Sequence, residues 1–252
     1  MEHKVINNNG IKTPVLYSLR NCPFAMRARL AIFKAEHRVI LRSILLSDKP
    51  EKFLATSPKG TVPVLVLDNG YVIEESLEIM LWVLKQSDPS NLLLRNSASN
   101  LSNKSPSHPQ KNLQTSSPIY TQDKLDEMLL FINMFDNEFK TCLENYKCAK
   151  RYKEDNIQLQ RAACEVYIQQ LEQRLNQHKF LFSDEESLAD LALLPFCRQF
   201  ARIERQWYLA SPYPHFKKWL NNYLQSPFFT KVMAKFPIWE PSAEVTYFGK
   251  LE

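Results

Sequence analysis

The 252-residue chain is 44 % hydrophobic and carries a formal net charge of +5, which suits a globular protein with one large domain or two ordinary ones. No run of five basic residues occurs, no apolar stretch approaches a membrane span and residues 1–10 are polar, so neither nucleic acid, nor a membrane, nor a secretory leader is indicated. Four glycines without a GxGxxG or GxxxxGK[ST] pattern exclude a glycine-rich phosphate cradle, and five scattered cysteines without a CxxC pair point away from disulfide or zinc frameworks and toward the cytoplasm.

Residues 1–13 are polar and expected to fray. Val15–Ser18 reads as the first strand and residues 23–35 as the first helix, with Phe24, Ala28, Ala31 and Ile32 on its inner face. Between them lies Arg20-Asn21-Cys22-Pro23. Proline suits the first helical position because the N–H it lacks would be unpaired there. Cys22 therefore falls at a helix N-terminus, where unpaired amides and the helix dipole favour a thiolate, and Arg20, Arg27 and Arg29 add positive charge. A buried, inert cysteine in a strand–helix unit satisfies the same pattern. This stretch by itself leaves both readings open.

Residues 39–46 are β-branched and aliphatic and predict a second strand. Asp48-Lys49-Pro50 turns the chain into a short helix over 51–55, which Ser57-Pro58-Lys59-Gly60 breaks. Two apolar runs, 64–67 and 71–73, joined through Asp68-Asn69-Gly70, predict a β-hairpin. Glu74-Glu75-Ser76 then leads into a helix over 76–85, with Leu77, Met80, Leu81 and Leu84 at helical spacing. The order β-α-β-α-β-β-α predicts a small mixed sheet of four strands.

From 95 to 121 Ser, Asn, Pro, Gln and Lys dominate. Such a stretch buries too little apolar area to offset its ordering entropy and reads as a flexible linker or surface insertion. Beyond it the pattern is helical. Leu125, Met128, Leu129, Ile132 and Phe135 keep a helical period, a charged, tyrosine-rich turn is expected over 146–155, and an amphipathic helix over 157–178. Ser187 and Asp190 have the spacing of a capping box, opening an apolar helix over 188–205 that should be buried on all sides and kinked at Pro195. Shorter helices follow over 215–224 and 228–235. The tail from Ile238 carries Trp239, Tyr247 and Phe248 and is placed to fold back over the body.

This layout resembles that of the glutathione transferase superfamily. Residues 20–32 resemble the C-P-[FY]-x-x-R segment of its cysteine-type, omega-like classes. Thr61-Val62-Pro63-Val64-Leu65 is similar to the segment that carries a cis-proline at the active site of thioredoxin-like folds. Glu75-Ser76 matches the pair opening the family's third helix, Lys49 sits where omega-like members place a glutathione-binding lysine, and Ser187–Asp190 is similar to the helical domain's capping motif. The match is close over 15–90 and by pattern over 120–235. The linker is longer and more polar than usual, glycine is scarcer, and the second half carries no signature naming a substrate. The resemblance implies an α/β thioredoxin-like N-terminal domain with a mixed four-stranded sheet over 1–90, a polar flexible linker or insertion over 91–121, and an all-α C-terminal domain over 122–252.

It also implies glutathione as co-substrate, no metal, and a homodimer. Cys22 would be catalytic, and Phe24, Lys49, Val62, Pro63, Glu75 and Ser76 would bind glutathione. The chemistry suits each role. A cis Val62–Pro63 bond would turn the Val62 backbone toward a ligand that pairs with it like an added strand. Ser76 at a helix N-terminus offers a hydroxyl and free amides to a carboxylate, Glu75 can pair with an ammonium, and Lys49 can reach a second carboxylate. The plainer readings are a loop proline, a helix cap and a surface lysine. Cys142, Cys148, Cys164 and Cys197 read as small core or surface residues, and Arg198, Gln199, Trp207 and Tyr208 as packing or as a second-substrate pocket. Ala25 stands where dithiol glutaredoxins carry a second cysteine, so monothiol exchange is expected. The implied activity is glutathione-dependent thiol transfer or reduction through Cys22, with weak conjugation and a small hydrophobic electrophile or mixed disulfide as second substrate. A non-catalytic binding or regulatory protein on the same fold is the alternative, and a tyrosine-type enzyme using Tyr17 a third.

Overall fold

The computed structural model describes residues 13–95 and 122–250. The polar start and nearly all of the low-complexity stretch, with the expectations attached to them, lie outside those residues. The first half runs β1 (Val15–Ser18), α1 (Pro23–Lys34), β2 (Val39–Ser43), α2 (Glu51–Thr56), β3 (Val64–Val66), β4 (Val72–Ile73) and α3 (Ser76–Gln86). β1 pairs in parallel with β2 and antiparallel with β3, and β3 pairs antiparallel with β4 through the expected Asn-Gly turn.

Strand alternation divides the core. Leu16, Leu41 and Leu65 face the large cluster that includes α1 and α3, whereas Tyr17, Val64 and Val66 face a smaller one with Ile44 and Phe53. Side chains on successive strand positions point to opposite faces, so one short strand serves both clusters.

The sheet has five strands, not the four expected, in the order β4-β3-β1-β2-β5. The added β5 (Tyr247–Phe248) comes from the C-terminal tail and pairs antiparallel with Val39 and Ile40 of β2. Without it, the outer edge of β2 would present unpaired backbone groups to solvent. Arginines hold the tail in place: Arg38 lies 4.0 Å from the Tyr247 ring centre, Arg42 4.2 Å from Trp239, and Arg29 5.7 and 5.9 Å from Phe236 and Phe248. Gly249 is required at the crossing, because its φ is +96° and a Cβ there would sit 1.9 Å from the His37 carbonyl oxygen. β2 itself ends at Ser43, short of the predicted limit; Ile44 N–H still donates to Ser18 O as the last rung of the parallel ladder, and Leu45 beyond it is exposed.

In the second half, α4 (Gln122–Met134) passes through a π-helical turn at Phe135–Phe139 into α5 (Lys140–Tyr152). The turn expected over 146–155 is therefore mostly helix. Leu143, Tyr146 and Ala149 form a buried stripe on α5, and only Lys153, in the left-handed region at φ 57°, ends it. There follow α6 (Ile157–Gln177), α7 (Leu188–Ile203), α8 (Arg205–Ala210), α9 (Pro214–Leu224) and α10 (Pro227–Val232). Nearly all of α7 is buried, with Pro195 inside it, and the capping box is present. Asp190 accepts from Ser187 N and Oγ, Leu181 N and Trp219 Nε1, at 2.6–3.1 Å.

The two halves meet along α1. Arg27, 1 % exposed, donates from Nε to Ala192 O at 2.7 Å and through both terminal nitrogens to Asp136 at 2.9 and 2.6 Å. Leu92, Leu93 and Leu94 pack into the large cluster, and Leu188 N donates to Leu92 O.

Candidate active site

Cys22 is the N-cap of α1, in extended conformation with Pro23 behind it. It is half-buried, and its Sγ lies 3.6 Å from Val62 O, to which the thiol donates. The Phe24 and Ala25 N–H groups lie near the sulfur without closing a cap hydrogen bond to it. Burial pushes the thiol pKa up, these two amides pull it down, and burial prevails. This corrects the expectation of a thiolate favoured at rest. The neighbouring arginines do not offset burial, since Arg27 is committed to Asp136 and Ala192, and Arg29 donates to Ser18 Oγ and Ser43 Oγ. Arg29 is itself fully buried, with Nη1 unpartnered and its pKa lowered to about 10 by burial and by Arg20.

The Val62–Pro63 bond is cis, and Val62 is buried. Its N–H has no acceptor among the described residues. Phe24 turns its ring to the helical half, against Phe196 at 5.2 Å and Lys140 at 5.7 Å, so only its amide faces Cys22. Lys49 is exposed and lies over Gly60, with Nζ 3.1 Å from where a Cβ would sit. Gly60 has φ +62°, the left-handed region that favours glycine. Glu75 caps α3 and is exposed, while Ser76 begins the helix at 4 % exposure, its hydroxyl unbonded among the described residues.

The 57–63 loop joins these groups. Ser57 Oγ donates to Glu74, Lys59 pairs with Glu75, Gly60 supports Lys49, and Val62 accepts from Cys22. Glu75, expected to await a ligand ammonium, is already paired with Lys59, whose pKa it raises. Ser57 and Lys59 are the members that sequence reasoning missed. Their signal was the Ser57-Pro58-Lys59-Gly60 breaker, which reads as a turn and nothing more.

Other candidates are accounted for by packing. Tyr17 is 1 % exposed, packed against Phe53 and Trp239 with its hydroxyl accepting from Arg42, which leaves the tyrosine-type alternative without a solvent-facing hydroxyl. Trp207 packs on Phe200 and Arg161, and Tyr208 is buried against Phe216. All five cysteines are free, with Cys164 and Cys197 buried. Among the described residues no group of His, Cys, Asp and Glu is placed to hold a metal, and no helix is long and apolar enough to cross a membrane.

A half-buried N-cap cysteine facing a cis-proline loop, on a small mixed sheet packed against helices, is the arrangement of a thioredoxin-like, glutathione-handling fold. Residues 16–91 match the family model of the glutathione S-transferase N-terminal domain and residues 127–227 that of its C-terminal domain. The chain belongs to the glutathione S-transferase superfamily and is an omega-like enzyme of that family. It is 29 % identical to glutathione S-transferase omega-1 of Mus musculus across 84 % of this chain and 77 % of the relative. It is 36 % identical to glutathione S-transferase DHAR2 of Arabidopsis thaliana across 29 % and 34 %. Among solved structures, a Pseudomonas fluorescens family member with two glutathione molecules bound aligns at TM-score 0.68 and 14 % identity over 88 % of this chain and 92 % of that one. Poplar glutathione transferase F1 aligns at 0.66 and 17 % over 88 % and 97 %. These two likenesses concern the fold.

Proposed function

We propose that the protein is a glutathione-dependent thiol transferase in which Cys22 exchanges with a glutathione mixed disulfide. The observation that carries this reading is Cys22 Sγ half-exposed at the start of α1, with two amides and the Val62 carbonyl around it and no second cysteine at Ala25. The Val62 backbone would pair with the cysteinyl part of glutathione, Ser76 and the start of α3 with one carboxylate, and Lys49 with the other. Glu75 would exchange its Lys59 partner for the ligand ammonium.

In the first step the thiol loses its proton to solvent, and the thiolate attacks the glutathionyl sulfur of a mixed disulfide. The Cys22–glutathione S–S bond forms as the original S–S bond breaks, and the substrate leaves as a thiolate that takes up a proton. A second glutathione thiolate then attacks the glutathionyl sulfur and releases oxidised glutathione and Cys22. The two amides support the anionic sulfur at the start and end of this cycle. The raised pKa lowers the thiolate fraction but leaves each thiolate more nucleophilic. Conjugation to electrophiles is the weaker activity, because a cysteine here bonds to glutathione's sulfur instead of stabilising it as a free thiolate.

The test is Cys22→Ser, assayed for reduction of a glutathione mixed disulfide. Activity should fall by about three orders of magnitude, and intact mass after treatment with oxidised glutathione should show one adduct in the parent protein, mapping to Cys22. Full activity in the variant would sink the reading. Retention on immobilised glutathione with no turnover of mixed disulfides would favour a binding protein instead.

A further inference from the structure

The tail that completes the sheet also borders an open cleft. It has a volume of about 480 Å³ and lies between the 44–52 loop and the tail at 238–241, within the size range of small-molecule sites. It arises because β2 stops at Ser43. From there the 44–50 segment swings away from the sheet, and the tail returns to Ser43 through Ile238 and Trp239. The apolar lining is half-buried Trp239 with Leu45 and Ile238, which expose 41 % and 47 % of their surfaces, and fully buried Ile44 packs behind it. Cys22, Lys49, Val62, Pro63, Glu75 and Ser76 are all absent from the lining.

The charge of the rim is opposite to that of the protein. Asp48, Glu51 and Glu240 surround the opening with Lys52 as the one cation of the lining, and the three carboxylates form no ion pair among the described residues. The chain as a whole is at +5. A ligand with apolar surface alone would leave the carboxylates unused, and an anion would face three like charges. Trp239 is already engaged by a cation through Arg42, and an indole is the best aromatic partner for one.

We propose that this cleft binds a small organic cation carrying an aromatic or aliphatic body. The apolar part lies on Trp239, Leu45 and Ile238, and the cationic head lies among Asp48, Glu51 and Glu240. The site is separate from the Cys22 chemistry and holds whether or not that reading does.

The probe is (naphthalen-2-ylmethyl)trimethylammonium, titrated calorimetrically into the full chain beside 2-naphthylacetate, its anionic counterpart. The cation should bind one per chain, at least tenfold more tightly than the anion. Glu51→Gln with Glu240→Gln should weaken it about fivefold, as two partly exposed charges are lost. Trp239→Leu should weaken it further. Because that change touches the tail, its folding is checked by thermal melting, and the exposed glutamates supply the independent variant. Binding should persist in Cys22→Ser and in saturating S-methylglutathione. Equal affinity for the anion, no effect of the paired glutamate substitutions, no binding of the cation at millimolar concentration or its displacement by S-methylglutathione would each overturn the proposal.

Discussion

Two helix N-termini in this protein begin alike and end up opposite. Cys22 and Ser187 are both N-caps in extended conformation, one opening α1 and the other α7. At Ser187 a capping box with Asp190 answers the orphan donors, and Asp190 also takes in Leu181 and Trp219. At Cys22 no side chain caps the helix in the usual way. The sulfur is a weak acceptor, and the surrounding groups stay available. A saturated cap holds the helical half together, and an unsaturated one can take part in chemistry. The difference lies in one side chain and in whether a buried acid stands three residues on.

The contrast breaks most visibly at Asp190. Asp190→Ala removes the acceptor for four buried donors and should cost about 4 kcal/mol, read by denaturant unfolding. A loss below 1 kcal/mol would mean that water or a neighbour takes over the acceptor's place. Next is the joint between the halves. Asp136→Ala leaves a buried guanidinium with Ala192 O alone and should cost about 2 kcal/mol, since Asp136 is itself partly exposed. Arg27→Met with Asp136→Leu should restore much of it.

The third prediction concerns reactivity. Because burial raises the Cys22 pKa, the thiol is the resting form and the thiolate fraction grows with pH. Alkylation of Cys22 by iodoacetamide should rise about tenfold per pH unit from 7 upward, with no plateau below the ordinary thiol value of 9.0. A plateau near pH 6 would show that the amides outweigh burial. The smallest effect is on stability. Cys22→Ser supplies a better cap and should stabilise the fold by about 0.5 kcal/mol while abolishing thiol transfer, whereas Ser187→Cys should destabilise it and create no activity.

Local signals carried most of the fold. Pro23 after Cys22, Asn69-Gly70 between two apolar runs and Ser187 with Asp190 each mark a boundary by nearby chemistry. What stayed hidden depends on partners far along the chain. Tyr247–Phe248 is two residues long and becomes a strand only because Val39 and Ile40 offer an open edge. Arg27 and Arg29 look like solvent cations near a thiolate, yet both are buried and committed elsewhere. On α5, Lys147, Lys150 and Arg151 suggest a turn, although they share a helix with the buried Leu143–Tyr146–Ala149 stripe. At the site, the place of Cys22 at a helix start followed from Pro23, whereas Val62, Pro63 and Ser76 were singled out by the resemblance to the glutathione transferases. The Lys59–Glu75 pair and the raised Cys22 pKa could not be read in advance, because both depend on how deeply each group is covered.

The late arrival of β5 has a consequence for biosynthesis. Val39 meets its edge partner Phe248 only after about two hundred further residues have been translated, which at 5–20 residues per second takes roughly 10–40 s. During that interval the nascent sheet has an open flank next to other emerging chains. Slowed elongation upstream of codon 247 should therefore raise the yield of aggregated product and make ribosome-associated chaperones more important.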